Sequence, residues 1–328
     1  MRLIPSALQT AVRPRLACAF TTEAVFAAHS ASPGAPLQAA VCHALPVGAI
    51  APAVKAPIFP GQALAEELRS LNALHRVVGK NRSRQVTLVV PDICVRVLVL
   101  DFEVLPAKAS EALPLVRFRL RKMLPFDADA AAVSYQVLHS GKADAGEPVR
   151  VLVAAAQAEL REELESLVRG AGFEPGAILP ATLAALAAVP EEGAHLLVHT
   201  GRQSVTTAIT RGSDLLLYRT IERTLPVSAA TEEEFAPRDF VTPTQEDDQV
   251  QAILMAAAYF EDSLGRAPDH VLVAGIETPE SLAAQLNSVC DWQIPMRSLV
   301  RTEHFLAEAM PNGMPACQFA GVVGALHG

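Results

Sequence analysis

The sequence predicts an α/β protein of two similar halves, the first carrying a small additional α+β block. Three observations lead there. Short apolar runs of strand length alternate with amphipathic stretches of helical period, the mark of α/β layers. The alternation occurs twice, each time opening with three meandering strands, once between residues 15 and 43 and again between residues 194 and 218. Between them, roughly from Phe102 to Gly172, stands a block with its own strand–helix–strand pattern. The chain has 328 residues, enough for about two domains of ordinary size.

The first half reads as follows. Three short strands fill Arg15 to His43, broken most clearly at Ser32-Pro33-Gly34. Pro46, Pro52, Pro57 and Pro60 then deny the backbone its donors, so this stretch is a surface connection. From Gln62 to Val78, Leu64, Leu68, Leu71 and Leu74 are spaced four and three apart, one face of an amphipathic helix. Val86 to Val90 is a buried strand by length and β-branching, Pro91-Asp92 turns it, and Val95 to Leu100 is a second strand. A helix capped by Ser110 follows and ends at Pro125. Leu113, Val116, Leu120, Met123 and Leu124 form its apolar face; Arg117, Arg119, Arg121 and Lys122 form a basic one, suited to solvent or to anionic headgroups. A strand from Val133 to Leu138, a polar loop from Ser140 to Pro148 and a strand from Val149 to Ala155 lead to a helix at Ala158 to Gly170, with Leu160, Leu164 and Leu167 inward.

The second half repeats the scheme. Strands are expected at Ala194 to His199, Ser204 to Thr210 and Asp214 to Tyr218, the last two joined by the hairpin-type turn Arg211-Gly212-Ser213. Ala229 to Asp248 holds seven acidic residues against one basic and reads as a solvated excursion. A helix at Val250 to Leu264, a strand at His270 to Ala274 and a helix at Pro279 to Asn287 follow. Ala316 to Leu326, with Gly321 and Gly324, reads as a closing apolar helix.

Composition excludes several classes. Hydrophobic residues make up 51% of the chain, which rules out a mostly disordered protein. Twenty-seven Lys+Arg against 35 Asp+Glu give a formal charge of −8, which argues against nucleic acid as the main partner. No direct membrane span is expected: Val86 to Leu100 is cut by Pro91, Asp92 and Arg96, and Ala177 to Val189 is short and contains Pro180. The N-terminus, with Arg2, Arg13 and Arg15, lacks the apolar core of a signal peptide, so a cytoplasmic location is expected. The five cysteines are scattered without CxxC and read as reduced thiols, and no metal site is expected. Phosphate-loop, dinucleotide and nucleophile-elbow motifs are absent. Glu162-Glu163 and Glu232 to Glu234 read as solvated charge.

Several motifs together resemble the PilM family, actin-like cytoplasmic assembly proteins of type IV pilus systems. They are Ala44 to Ile50, Val86-Thr87-Leu88-Val89-Val90-Pro91-Asp92 with Val95-Arg96-Val97 and Val104-Leu105-Pro106, and Lys122-Met123-Leu124-Pro125-Phe126-Asp127 ahead of Val133 to Leu138. Leu197 to Ile221 and Val271 to Gly275 carry it more weakly. The resemblance implies a two-lobed actin-like (RNase H-like) fold. The first lobe would take residues 1–101, an inserted α+β subdomain 102–172, a return to the first lobe 173–190, the second lobe 191–312, and a C-terminal helix closing on the first lobe 313–328. It further implies a nucleotide cleft, and a groove between first lobe and insert that takes the cytoplasmic tail of PilN, an inner-membrane protein. Val97, Val99, Phe102, Val116, Leu120 and Phe126 are the expected groove positions. Other pilus assembly proteins are further implied partners, at the inner face of the inner membrane.

The same resemblance locates the nucleotide site, where this chain departs from the pattern. In the first hairpin, Cys18 stands at the family's Asp position and Phe20 at its Gly, leaving Thr21 and Thr22 as hydroxyl donors. A thiol does not replace a carboxylate on Mg²⁺, a hard cation that prefers oxygen. In the second hairpin His199 replaces Asp, while Gly201, Gln203 and Ser204 remain. Gly275 keeps one of two consecutive glycines and Ile276 replaces the other. Ala252, Met255 and Ala256 stand where the family's Glu, Arg and Ser contact the nucleoside. The resulting expectation is a scaffold without catalytic residues and with no cofactor required. The alternative is an actin-like ATP-binding protein or ATPase with an altered site.

Overall fold

The computed structural model describes residues 13–46, 49–53, 84–139, 147–223, 245–311 and 313–328, without the side chains of 245–247. The helix expected at Gln62 to Val78 and most of the acidic stretch from Ala229 lie outside the described residues.

Two five-stranded sheets carry the architecture, and they share one plan. In the first, β1 (Leu16–Phe20), β2 (Ala24–Ser30) and β3 (Leu37–Ala44) meander antiparallel. Then β4 (Gln85–Val90) lies parallel to β1, and β8 (Glu174–Pro180) parallel to β4. The order is β3-β2-β1-β4-β8. Every residue of β1 is buried, and so are five of the six in β4, which is why these strands read as unbroken apolar runs.

The second sheet repeats this with β9 (Ala194–Thr200), β10 (Ser204–Arg211) and β11 (Asp214–Glu222) as the meander. β12 (Val271–Ala274) and β13 (Met296–Ser298) are its parallel strands, in the order β11-β10-β9-β12-β13. Helices close the layers. α2 (Ala158–Gly170) and α3 (Ala181–Ala185) pack on the first sheet; α4 (Gln245–Leu264) packs across β9 and β10, and α5 (Pro279–Val289) against β13.

The last helix, α6 (Ala320–His327), returns to the first lobe and packs on α3 and β1. Two glycines allow this. A Cβ at Gly321 would come within 2.8 Å of Val89 Cγ1, and one at Gly324 would overlap the Ala184 carbonyl.

The insert is a third sheet, order β5-β7-β6, built from β5 (Arg96–Phe102), β6 (Ala132–His139) and β7 (Val149–Ala156), all antiparallel. The helix α1 (Ala109–Leu120) covers it, and Leu100, Val116, Leu120, Val151 and Val153 form its core. The structure corrects three expectations in this region. β5 pairs within the insert's sheet, so the insert begins before residue 102. Ser110 does not cap α1: Lys108 precedes the helix and no side chain caps it. The helix also stops at Leu120, where the Met123 and Leu124 amides both turn back to the Leu120 carbonyl, five residues ahead of Pro125. Met123 therefore leaves the apolar face and is exposed.

Candidate functional site

The two sheets face each other across a cleft, and its mouth is set by two hairpins. The β1–β2 turn is fixed by Thr21, whose Oγ1 donates to the Ala24 carbonyl and accepts from the Ala24 amide, both at 3.0 Å. In the β9–β10 turn the Gly201 amide bonds the Ser204 carbonyl at 2.9 Å, and Arg223 donates to the Gly201 carbonyl at 3.1 Å. The two tips are joined by an exposed ion pair, Arg202 to Glu23, at 2.5 Å.

Deeper, a polar network ties the lobes. Asp92, in the turn after β4, is 6% exposed. Its carboxylate accepts from the Thr182 amide at 2.9 Å, the Thr182 hydroxyl at 2.5 Å and the Tyr218 hydroxyl at 2.9 Å. Asp92 and Thr182 belong to the first lobe, Tyr218 to β11 of the second. His199, at the end of β9, places Nδ1 2.9 Å from Thr182 Oγ1 and 3.6 Å from Asp92. Since the Thr182 proton is directed to Asp92, Thr182 Oγ1 is free to accept, and His199 donates from Nδ1. Burial lowers the His199 pKa, opposed by the Asp92 charge, which suits a neutral ring with one donor. Burial, followed by Asp92, raises the Tyr218 pKa well above its usual value, so its hydroxyl keeps its proton.

Around this network lies a cavity of about 310 Å³. Phe20, Thr21, Thr22, His199, Gly201, Gln203, Ser204 and Gly275, all named from the sequence, line it together. Gly275 is required there: its φ is +74°, a Cβ would overlap the Thr200 carbonyl, and its amide reaches the Cys317 carbonyl at 3.2 Å. Cys18, Ala252, Met255, Ala256 and Ile276 do not line it. Cys18 is fully buried in β1, its thiol pushed up to about 12 by burial. Ala252 and Ala256, one helical turn apart, both enter the core under the second sheet, Met255 points to solvent at 43% exposure, and Ile276 packs against that core. The expected nucleoside positions thus fall away from the cavity, because the inward face of α4 is spent on β9 and β10.

Sequence reading missed Asp92, Thr182 and Tyr218. One signal was available: Asp92 is the first aspartate in the chain and directly follows a buried strand and a proline. The carboxylates that line the cavity are Glu23 and Asp92, the first paired with Arg202 and the second held by three donors. Among the described residues no group of three or more His, Cys, Asp or Glu gathers as a metal-holding set.

A second cavity, of about 540 Å³, separates the insert from the first lobe. β6 and β8, each the outermost strand of its sheet, border it. Its wall mixes small and aliphatic side chains, Ala132, Ala154, Ala156, Leu160, Leu164 and Ile178, with the polar ones of Arg117, Asp129, Ser134, Arg161 and Glu165. None of the six groove positions expected from the sequence lines it. Val116 and Leu120 are 0% exposed in the insert's own core, and Val97 is buried. Val99 and Phe102 are on β5, at the opposite edge of the insert's sheet from β6, and Phe126 packs against the main core. Strand order sets β5 and β6 at opposite edges of the insert's sheet, and β6 is the one that borders the cavity.

No protein-family model matches the chain, and no curated protein matches it in sequence. Solved structures do share its fold. A chain of the PilM–PilN type IV pilus biogenesis complex is 18% identical, with 95% of this chain and 98% of that chain covered, at a TM-score of 0.69. The cytoplasmic domain of EpsL, an inner-membrane component of the type II secretion system of Vibrio cholerae, is 14% identical over 95% of this chain and 94% of that chain, at 0.48. A protein with an actin-like ATPase fold from Bacteroides thetaiotaomicron is 10% identical over 86% and 90%, at 0.47. The first of these likenesses, with the duplicated sheet plan, establishes the fold as the two-lobed actin-like one.

Proposed function

We propose that this chain is a cytoplasmic scaffold of a type IV pilus, or related secretion, assembly complex at the inner membrane, and that it docks the cytoplasmic tail of a PilN-like membrane protein. The observation that carries this reading is the cavity between insert and first lobe. Two strand edges that are unpaired among the described residues border it, and an extended peptide can add to such an edge while small apolar residues accept its side chains. The likeness in fold to a PilM–PilN complex supports the choice of partner. Among the described residues no helix is long and apolar enough to cross a membrane.

The cleft, in this reading, performs no phosphoryl transfer. A hydrated Mg²⁺ needs free carboxylate oxygens; Asp92 is held by three protein donors, and Glu23, at the mouth, is paired through Oε1 with Arg202. Phe20 lines the cavity at the turn where a phosphate would approach backbone amides.

A thermal-shift titration of the full chain tests both parts. A synthetic peptide of the partner's cytoplasmic tail should raise Tm, and Ser134→Trp, an exposed change in the cavity wall, should abolish that rise without lowering the basal Tm. The absence of any rise with such tails would overturn the docking reading. A rise with millimolar ATP·Mg²⁺ would instead favour an ATP-binding actin-like protein, a reading to which Thr21, Gly201 and Gly275 around the cavity lend some support.

A further inference from the structure

The insert covers its sheet with a single helix, and only part of that helix is used. Ala112, Val116 and Leu120 enter the core at 0% exposure. Helical period sets Leu115 and Phe118 on another face, and they are 43% and 68% exposed. Met123, in the turn beyond α1, is 45% exposed, and Val104, a few residues before it, 70%. Four of the nine large apolar side chains exposed by the described residues therefore fall within residues 104–123. Single exposed apolar groups are ordinary, but this concentration marks a surface that meets something.

Charge selects what it meets. Residues 108–122 hold five bases and one acid, in a chain of net charge −8. Arg117 is occupied, donating to the Ala128, Asp129 and Ala131 carbonyls. Arg121 pairs with Asp129 at 2.8 Å and lies 6.0 Å from the centre of the Phe118 ring. Lys108 is paired loosely with Glu111, at 3.6 Å. Arg119 and Lys122 are exposed and make no ion pair among the described residues. Leu115, Phe118 and Met123 do not line the cavity between insert and first lobe.

We propose that the outer face of α1 and the turn after it form a contact surface for an anionic lipid bilayer. Phe118, Leu115 and Met123 enter the boundary between headgroups and acyl chains, while Arg119 and Lys122 meet lipid phosphates. The exposed apolar and basic side chains share one helix and the turn after it, which suits a plane better than an extended peptide. The inference does not rest on the docking reading above, since it uses other residues and another partner.

Cosedimentation of the full chain with vesicles tests it. Binding is expected to phosphatidylcholine vesicles containing phosphatidylglycerol, to weaken with added salt, and to be lost on phosphatidylcholine alone. Arg119→Glu and Lys122→Glu should each lower the partition at least about fivefold, and Phe118→Ser about tenfold. All three positions are exposed, so an unchanged Tm separates lost binding from lost fold. Equal binding to neutral vesicles, no binding to anionic ones, or variants that bind like the parent would each overturn the proposal. So would a dimer in sedimentation velocity that Phe118→Ser converts to a monomer, which would assign the face to a second copy of the chain.

Discussion

The two lobes are built on one sheet plan, yet they end their equivalent strands differently. β4 and β12 hold the same place in the two sheets, each beside the central strand of its lobe. β4 runs into Pro91 and the buried Asp92, whereas β12 runs into Gly275, pressed against the Thr200 carbonyl. The first lobe thus brings an acceptor, while β9 and β11 of the second bring the donors His199 and Tyr218. Thr182 of the first lobe gives Asp92 two hydrogen bonds, and Tyr218 of the second gives the third. A buried hydroxyl with no acceptor is costly, so Tyr218 and His199 tie the second lobe to the acceptors of the first. The lesson is that two lobes of one plan can be tied through a buried acceptor in one and donors from the other.

That asymmetry can be broken from either side. Asp92→Ala should have the largest effect, about 3 kcal/mol of stability, because it strands the hydroxyls of Thr182 and Tyr218; urea unfolding measures it, and a loss below about 1 kcal/mol would show that the network is not a tie. Gly275→Ala attacks the opposite lobe and should cost about 2 kcal/mol, through positive φ and overlap with Thr200; an unchanged midpoint would mean that the turn relaxes freely.

His199 makes the comparison sensitive to pH. Burial lowers its pKa below the ordinary 6.5, so the unfolded chain binds a proton that the folded one does not. Stability should therefore fall as pH drops below about 6.5 and level off once pH is below the folded pKa. His199→Asn, which keeps a donor near the Nδ1 position, should flatten this part of the profile relative to the parent. Equal slopes would assign the titration elsewhere, since burial also lowers His29 and His270.

Tyr218→Phe removes one donor of three and should cost about 1 kcal/mol, with the other two bonds intact. Arg202→Ala, at the mouth, should cost at most about 0.5 kcal/mol, because that ion pair is solvent-exposed. A larger loss from Arg202→Ala than from Tyr218→Phe would mean that the hairpin tips, not the buried network, hold the lobes together.

Much of this was legible from residue order. Apolar runs such as Val86 to Val90 and the meander from Leu16 to His43 have strand length and strand composition, and the structure forms strands there. Gly275 was named as a remnant of a glycine pair, and the structure shows why it is a glycine: a Cβ there would overlap the Thr200 carbonyl. What misled was partnership. Val95 to Leu100 reads correctly as a strand, but nothing local says that it joins the insert rather than the first lobe. The groove positions chosen on β5 and α1 do not line the cavity between insert and first lobe, which β6 borders. Ala252 and Ala256 were matched by motif to a ligand site, while their spacing of four residues sent both side chains into the core.

By itself the sequence determined the periodic features: two α/β halves, the hairpins, the glycines and the absence of an aspartate before Asp92. These are local because period, turn chemistry and side-chain type act within a few residues. Only the tertiary structure decided that Asp92, Thr182, His199 and Tyr218 meet, across separations of up to 126 residues. It likewise decided that an outer strand of the insert faces an outer strand of the first lobe. The satisfaction of a buried polar group and the exposure of a strand edge depend on which distant elements close upon it, and no local pattern records that choice.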